Sequence, residues 1–137
     1  MSVHTAETAA VAAAADVVGD RWSLRLIHAL LAGPGRFGDL QADVPGIAPN
    51  VLSQRLRSLA ADGLVVAERY HHRPPRFVYD LTARGRELAG VLRALASWAD
   101  DDLAPVHDAC GTRLELTWRC PTCATDVVDG DERLVHL

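Results

Sequence analysis

Apolar positions recur at helical spacing through most of the first hundred residues and give way to β-type runs in only two short stretches. Residues 9–18 predict a short helix that Gly19 stops. Asp20 is placed to cap a second helix over 21–31, where Trp22, Leu26, Ile27, Leu30 and Leu31 form one apolar stripe. Gly33-Pro34-Gly35 ends it. Residues 37–44 read as a short amphipathic helix, and Pro45-Gly46 breaks the chain again.

Pro49 suits the first turn of a helix, where its missing N–H costs nothing. The helix predicted over 49–62 turns Leu52, Leu56 and Leu59 to one side and leaves Asn50, Ser53, Gln54 and Arg57 on the broad opposite side. Gly63 stops it. Residues 64–70 and 77–81 are β-branched and aromatic runs separated by His71-His72-Arg73-Pro74-Pro75-Arg76, which predicts a hairpin with a basic tip. Thr82 then caps a long helix to about residue 99, with Leu88, Leu92, Leu95 and Trp98 as its stripe. Residues 100–102 and Pro105 read as a hinge, so the expected division is 1–104 and 105–137. No internal repeat is visible beyond the early alanines. The fold class is mainly α (α+β), with a small cysteine-rich β tail.

Composition narrows the classes. Hydrophobic residues make up 49% of 137 and charged residues 23%, the balance of a globular chain rather than a disordered one. No apolar run reaches the ~20 residues that cross a bilayer. The alanine-rich start lacks a basic leader, so the expectation is a cytoplasmic protein without a membrane partner. The net charge of −4 hides a local reversal: residues 49–76 carry five arginines against Asp62 and Glu68, while 97–137 carry three arginines against nine acids. A basic middle beside an acidic tail argues for one local anion-binding face. Every basic residue other than histidine is arginine.

A short helix, a tight turn and a second helix with a polar outer face make a helix-turn-helix, whose second helix can enter a major groove. Arginine bonds guanine or phosphate, and asparagine and glutamine match adenine edges. The hairpin tip supplies His72, Arg73 and Arg76 where flanking backbone or a minor groove would lie, and narrow minor grooves favour arginine. The plain alternative for a polar helix face is a solvated one. The helix-turn-helix spacing, basic hairpin and local charge reversal together favour double-stranded DNA.

These residues carry a resemblance. Asp16-Val17-Val18-Gly19-Asp20-Arg21-Trp22-Ser23, Arg36-Phe37-Gly38-Asp39-Leu40, the run Pro45 to Leu56, Asp62-Gly63-Leu64-Val65 and the run Arg73 to Thr82 resemble the HxlR family of bacterial winged-helix regulators from about residue 12 to 98. The resemblance implies a winged helix-turn-helix, a homodimer on a roughly palindromic operator, and terminal helices that form the dimer interface. It also brings Arg36 and Pro49 beside Asn50, Ser53, Gln54, Arg57, His72, Arg73 and Arg76 as DNA-contacting positions. Two departures matter. Many members carry a sensing cysteine in the first helix, whereas this chain has Val11-Ala12-Ala13-Ala14-Ala15 there, which excludes thiol sensing at that position. Ala48 stands where a serine cap is common, so another group is expected to cap that helix.

The tail holds a second constellation. His107-x2-Cys110, nine intervening residues and Cys120-x2-Cys123 form two chelating pairs of the kind that surround structural zinc. Residues 113–119 alternate, with Leu114, Leu116 and Trp118 on one side, and predict a strand. A Cys120/Cys123 redox pair and three metal-free thiols are the alternatives, with His136 a more distant ligand candidate. Four closed ligands leave no open position for substrate, so a structural ion is the expectation.

His28 reads as a packed or hydrogen-bonded histidine rather than a ligand contact, while Trp22 and Trp98 read as core or interface residues that a small-molecule effector pocket could also use. The stripe Leu88, Leu92, Leu95 and Trp98 is more apolar than one small domain needs and predicts a partner subunit. No catalytic constellation assembles, which disfavours an enzyme. The first reading is a sequence-specific transcriptional repressor. A protein-interaction module built on the same two folds is the alternative, and a small metalloenzyme at the cysteines is the third.

Overall fold

In the computed structural model residues 3–127 are described; Val128, Leu134 and His136 lie outside them. The first helix, α1 (Val3–Val18), starts six residues before its predicted beginning. The polar run Thr5, Glu7, Thr8 hides the apolar period there but contains nothing that breaks a helix. Gly19 closes α1 by donating its N–H to Ala15 O at 2.7 Å.

Asp20 does act at the next helix start, but α2 (Ser23–Leu31) begins two residues later than expected. Its carboxylate accepts the N–H groups of Trp22 (2.8 Å) and Ser23 (3.0 Å), bonds the Ser23 hydroxyl, and lies 3.4 Å from Arg55. These contacts hold residues 20–22 as a turn in front of the helix. Burial opposes ionisation of Asp20, yet the Ser23 hydroxyl, the two N–H groups and the Arg55 charge outweigh it and hold its pKa below the ordinary 3.8.

The short β1 (Gly35–Arg36) escapes sequence reading because two residues show no period. Next come α3 (Phe37–Asp43) and α4 (Pro49–Ala61). Asp39 reaches back to the N–H of Arg36 at 2.9 Å, one half of a capping box. Ala48 sits at the N-cap of α4 with no side-chain hydrogen bond, so the expected substitute cap does not appear there; Pro49 instead removes one orphan donor. Leu52, Leu56 and Leu59 meet Leu26, Ile27 and Leu30 of α2, Leu40 of α3 and Val44 and Ile47 of the turn in one core.

The hairpin strands β2 (Val65–His72) and β3 (Pro75–Leu81) run further into the tip than predicted. His71 pairs with Arg76 and His72 with Pro75, so the connection is Arg73-Pro74 alone, joined by a cis peptide bond. The ladder shifts register between Arg69 and His71. Strand β1 pairs with β3, Arg36 against Val78, giving an antiparallel sheet in the order β1-β3-β2.

Thr82 caps as expected by accepting the Gly85 N–H at 3.1 Å, but the long helix is two: α5 (Ala83–Arg86) and α6 (Leu88–Ala99). Glu87 keeps helical angles (φ −60°, ψ −23°), so only the hydrogen-bond ladder is interrupted. Thr82 also donates its hydroxyl to Gly63 O (2.6 Å) and its N–H to Leu64 O (3.0 Å), pinning α5 where the sheet begins.

Residues 12–92 form one compact unit, and the described residues 3–11 and 93–127 group into a second. The second contains a 3-10 turn (Asp101–Leu103), an isolated bridge between Val106 and Arg113, and a small hairpin of β4 (Trp118–Arg119) and β5 (Asp126–Val127). The strand expected over 113–119 forms only at its end. Leu114, Leu116 and Trp118 are 49%, 75% and 60% exposed, so their alternation has no apolar face to pack against.

Candidate nucleic-acid interface

The core leucines of α4 fix which way its other residues point. With Leu52, Leu56 and Leu59 buried, Asn50, Gln54 and Arg57 stand exposed on the far side and Ser53 is half-buried. Arg57 folds back along the helix, its Nε 3.4 Å from Ser53 O, a long and weak bond that leaves the guanidinium at the surface. Arg55 belongs elsewhere: its link to Asp20 ties α4 to the entry of α2. The helix thus separates its two arginines, one structural and one free to meet an anion.

The wing adds a second cationic group. Arg73 occupies the turn, and His72, Arg76 and Arg36 are exposed. His71 Nδ1 lies 3.0 Å from Pro74 O across the tip. Pairing of β1 with β3 brings Arg36 to the wing, where its guanidinium stacks on Tyr70 at 4.9 Å. Arg69 covers Phe77 in the same manner at 5.5 Å. Arg36 and Arg76 line one open groove of about 450 Å³ with Tyr70, Phe77 and Tyr79. Burial raises the Tyr79 pKa above 10.0, so its phenol stays neutral. Sequence reading picks out both arginines but not this groove, because the two-residue strand that joins them gives no signal.

A polar, arginine-bearing helix face projecting from a three-helix core beside a cationic hairpin is the form of a winged helix-turn-helix. The HxlR-like helix-turn-helix family matches residues 17–107 of the 137. The chain belongs to this family. Its relatives include YvaP of Bacillus subtilis, an HTH-type transcriptional regulator 34% identical over 92 residues, 67% of this chain and 85% of that protein. Mb3122 of Mycobacterium bovis, also an HTH-type transcriptional regulator, is 33% identical over 132 residues, 90% of this chain and 83% of its own. Among solved structures, the redox regulator HypR in its reduced form superposes with a TM-score of 0.62 at 34% identity, covering 67% of this chain and 91% of that one. This HxlR-like chain is a DNA-binding transcriptional regulator and not an enzyme.

The other predicted positions fall in two places. Leu88 and Leu92 pack half-buried on the core of the winged unit, whereas Leu95 and Trp98, further along α6, are 40% and 84% exposed. Trp22 is half-buried against the core, with the guanidinium groups of Arg21 (4.9 Å) and Arg25 (5.5 Å) on its ring. His28 is exposed rather than packed, because it lies on α2 opposite Leu26, Ile27 and Leu30. In the tail, His107 and Cys110 form one pair and Cys120 and Cys123 another; among the described residues no three metal-ligating side chains gather at one point. No described helix is long and apolar enough to cross a membrane.

Proposed function

We propose that the chain represses transcription as a homodimer on a roughly palindromic operator. In each half-site α4 enters the major groove with Asn50, Ser53, Gln54 and Arg57, Pro49 sets its approach, and Arg36, His72, Arg73 and Arg76 hold flanking backbone or minor groove. The observation that carries this reading is the division of α4 into a buried leucine side and an exposed polar side, next to a wing bearing exposed arginines.

Mobility shift of the gene's own upstream DNA, with salt varied, tests it. Specific retention over random DNA is expected, with affinity falling steeply as salt rises. Arg73→Ala/Arg76→Ala should weaken all sequences alike and flatten the slope of log K against log salt by about 0.9 per lost phosphate contact. No promoter fragment retained above random DNA at any salt would favour a protein partner instead.

The exposed side chains of Leu95, Trp98 and Leu103 support the dimer, since monomers seldom leave such residues uncovered together. Sedimentation of the full chain should give a dimer at micromolar concentration. Trp98→Ser is the clean variant, because Leu92 also packs on the protomer's own core. Loss of a central tryptophan costs about 2 kcal/mol or more, at least a 30-fold rise in the dimer Kd. A monomeric parent chain would overturn the assembly.

A further inference from the structure

The tail repeats itself in its backbone. His107 donates its N–H to Thr112 O at 2.8 Å, and thirteen residues on Cys120 donates to Thr125 O at 2.9 Å. Val106 pairs with Arg113, and Arg119 with Asp126, at the same offset. Leu114 donates its N–H to Pro105 O, where the later copy pairs Val127 with Trp118. The residue after the second member of each pair is left-handed: Gly111 at φ +69° and Ala124 at φ +54°. Ala124 is the one described non-glycine residue with positive φ, a conformation an alanine adopts only when its surroundings impose it.

Each turn also treats the second member of its pair alike. Cys110 Sγ lies 3.1 Å from Thr112 Oγ1. Cys123 likewise contacts Thr125, two residues on, and also Cys120. His107 Nδ1 lies 3.3 Å from Cys110 Sγ. Ligands bound at ~2.0 and ~2.3 Å around a tetrahedral zinc stand about 3.5 Å apart, so this pair is already spaced for one ion.

We propose that the two turns are the halves of one structural zinc site, with His107, Cys110, Cys120 and Cys123 closing around a single Zn²⁺. Three thiolates and an imidazole suit a borderline-soft ion, and a complete set of four leaves no place for a substrate. The pairs stand apart among the described residues, and the nine residues between Cys110 and Cys120 are ample for the chain to double back. Leu114, Leu116 and Trp118 are too exposed to hold this segment by burial, so the ion supplies what a core would. The site does not depend on DNA binding: a chain that ignores operator DNA can still hold the ion.

Elemental analysis of the full-length protein, purified under reducing conditions without a metal-binding tag, tests this together with thiol titration and cobalt substitution. The expected result is about one zinc per chain, unreactive thiols until a chelator is added, and intense thiolate-to-cobalt absorption with tetrahedral bands. Cys123→Ser and His107→Ala should each lower zinc affinity at least about tenfold, while Thr122→Ala keeps it. Three thiols that titrate freely in metal-free protein would overturn the site. A Cys120–Cys123 disulfide in that protein would overturn it in favour of a redox pair.

Discussion

Replacing Gln54 or Arg57 by alanine is expected to weaken operator binding by about 1–3 kcal/mol, roughly 5- to 150-fold, while random DNA is bound nearly as before. Both side chains leave the core on the far side from Leu52, Leu56 and Leu59, so their removal opens no cavity. The thermal midpoint should therefore stay nearly unchanged, as it does for most surface substitutions, which shift stability by about 0.5 kcal/mol or less. Base-edge loss and phosphate loss separate in the same measurement. A lost base contact relaxes preference at one position, whereas a lost phosphate contact alters the salt slope. Footprinting of the upstream region defines the operator, and titration of the two variants against it gives the numbers. Unchanged affinity in both would remove α4 from the groove.

Gly85→Ala is expected to damage the fold itself. A Cβ built on Gly85 falls 2.3 Å from Leu64 O and 3.1 Å from Leu81 Cδ2. Leu64 O cannot simply retreat, because it already accepts the Thr82 N–H that pins α5 to the sheet. Overpacking of this kind costs about 1–3 kcal/mol. At about 4–8 °C per kcal/mol for a unit of this size, thermal unfolding should fall visibly. Gly38→Ala is the matched control: it also lies in a helix, meets nothing within 4 Å, and should gain up to about 1 kcal/mol from helix propensity. Equal midpoints for the two variants would mean that α5 does not pack against Leu64 as described. Because Leu64 joins α4 to the wing, Gly85→Ala should also lower operator affinity without touching a DNA-facing side chain.

The winged unit is legible in the sequence because its signals are periodic and its breaks are chemical. Leu26, Ile27 and Leu30 announce α2, Pro49 announces α4, and Thr82 announces α5. What escapes is set by backbone hydrogen bonding. The two-residue β1 has no period, and the break at Glu87 leaves its dihedral angles helical. Extension of the wing strands through His71 and His72 runs against the proline-rich composition of the tip.

The candidate site divides the same way. Polar residues opposite a leucine stripe can be counted from the sequence, but that Arg55 rather than Arg57 is occupied by Asp20 requires three-dimensional packing. The tail shows the reverse limit. Its ligand spacing is plain, whereas its thirteen-residue repeat shares only a cysteine and a threonine between copies, so sequence comparison finds no repeat. The likeness lies in hydrogen bonds and in one left-handed residue per copy, which side-chain identity barely records.

The exposed cations of the reading helix and wing are all arginines, and the chain has no lysine to stand in for them. Acylation of side-chain amines, which elsewhere neutralises DNA-binding surfaces one lysine at a time, finds no target on this face. Arginine methylation would block hydrogen bonds but preserve the charge. In the proposed dimer, release from DNA must then come from rearranging the two reading heads or from competition for the groove, rather than from discharging the surface.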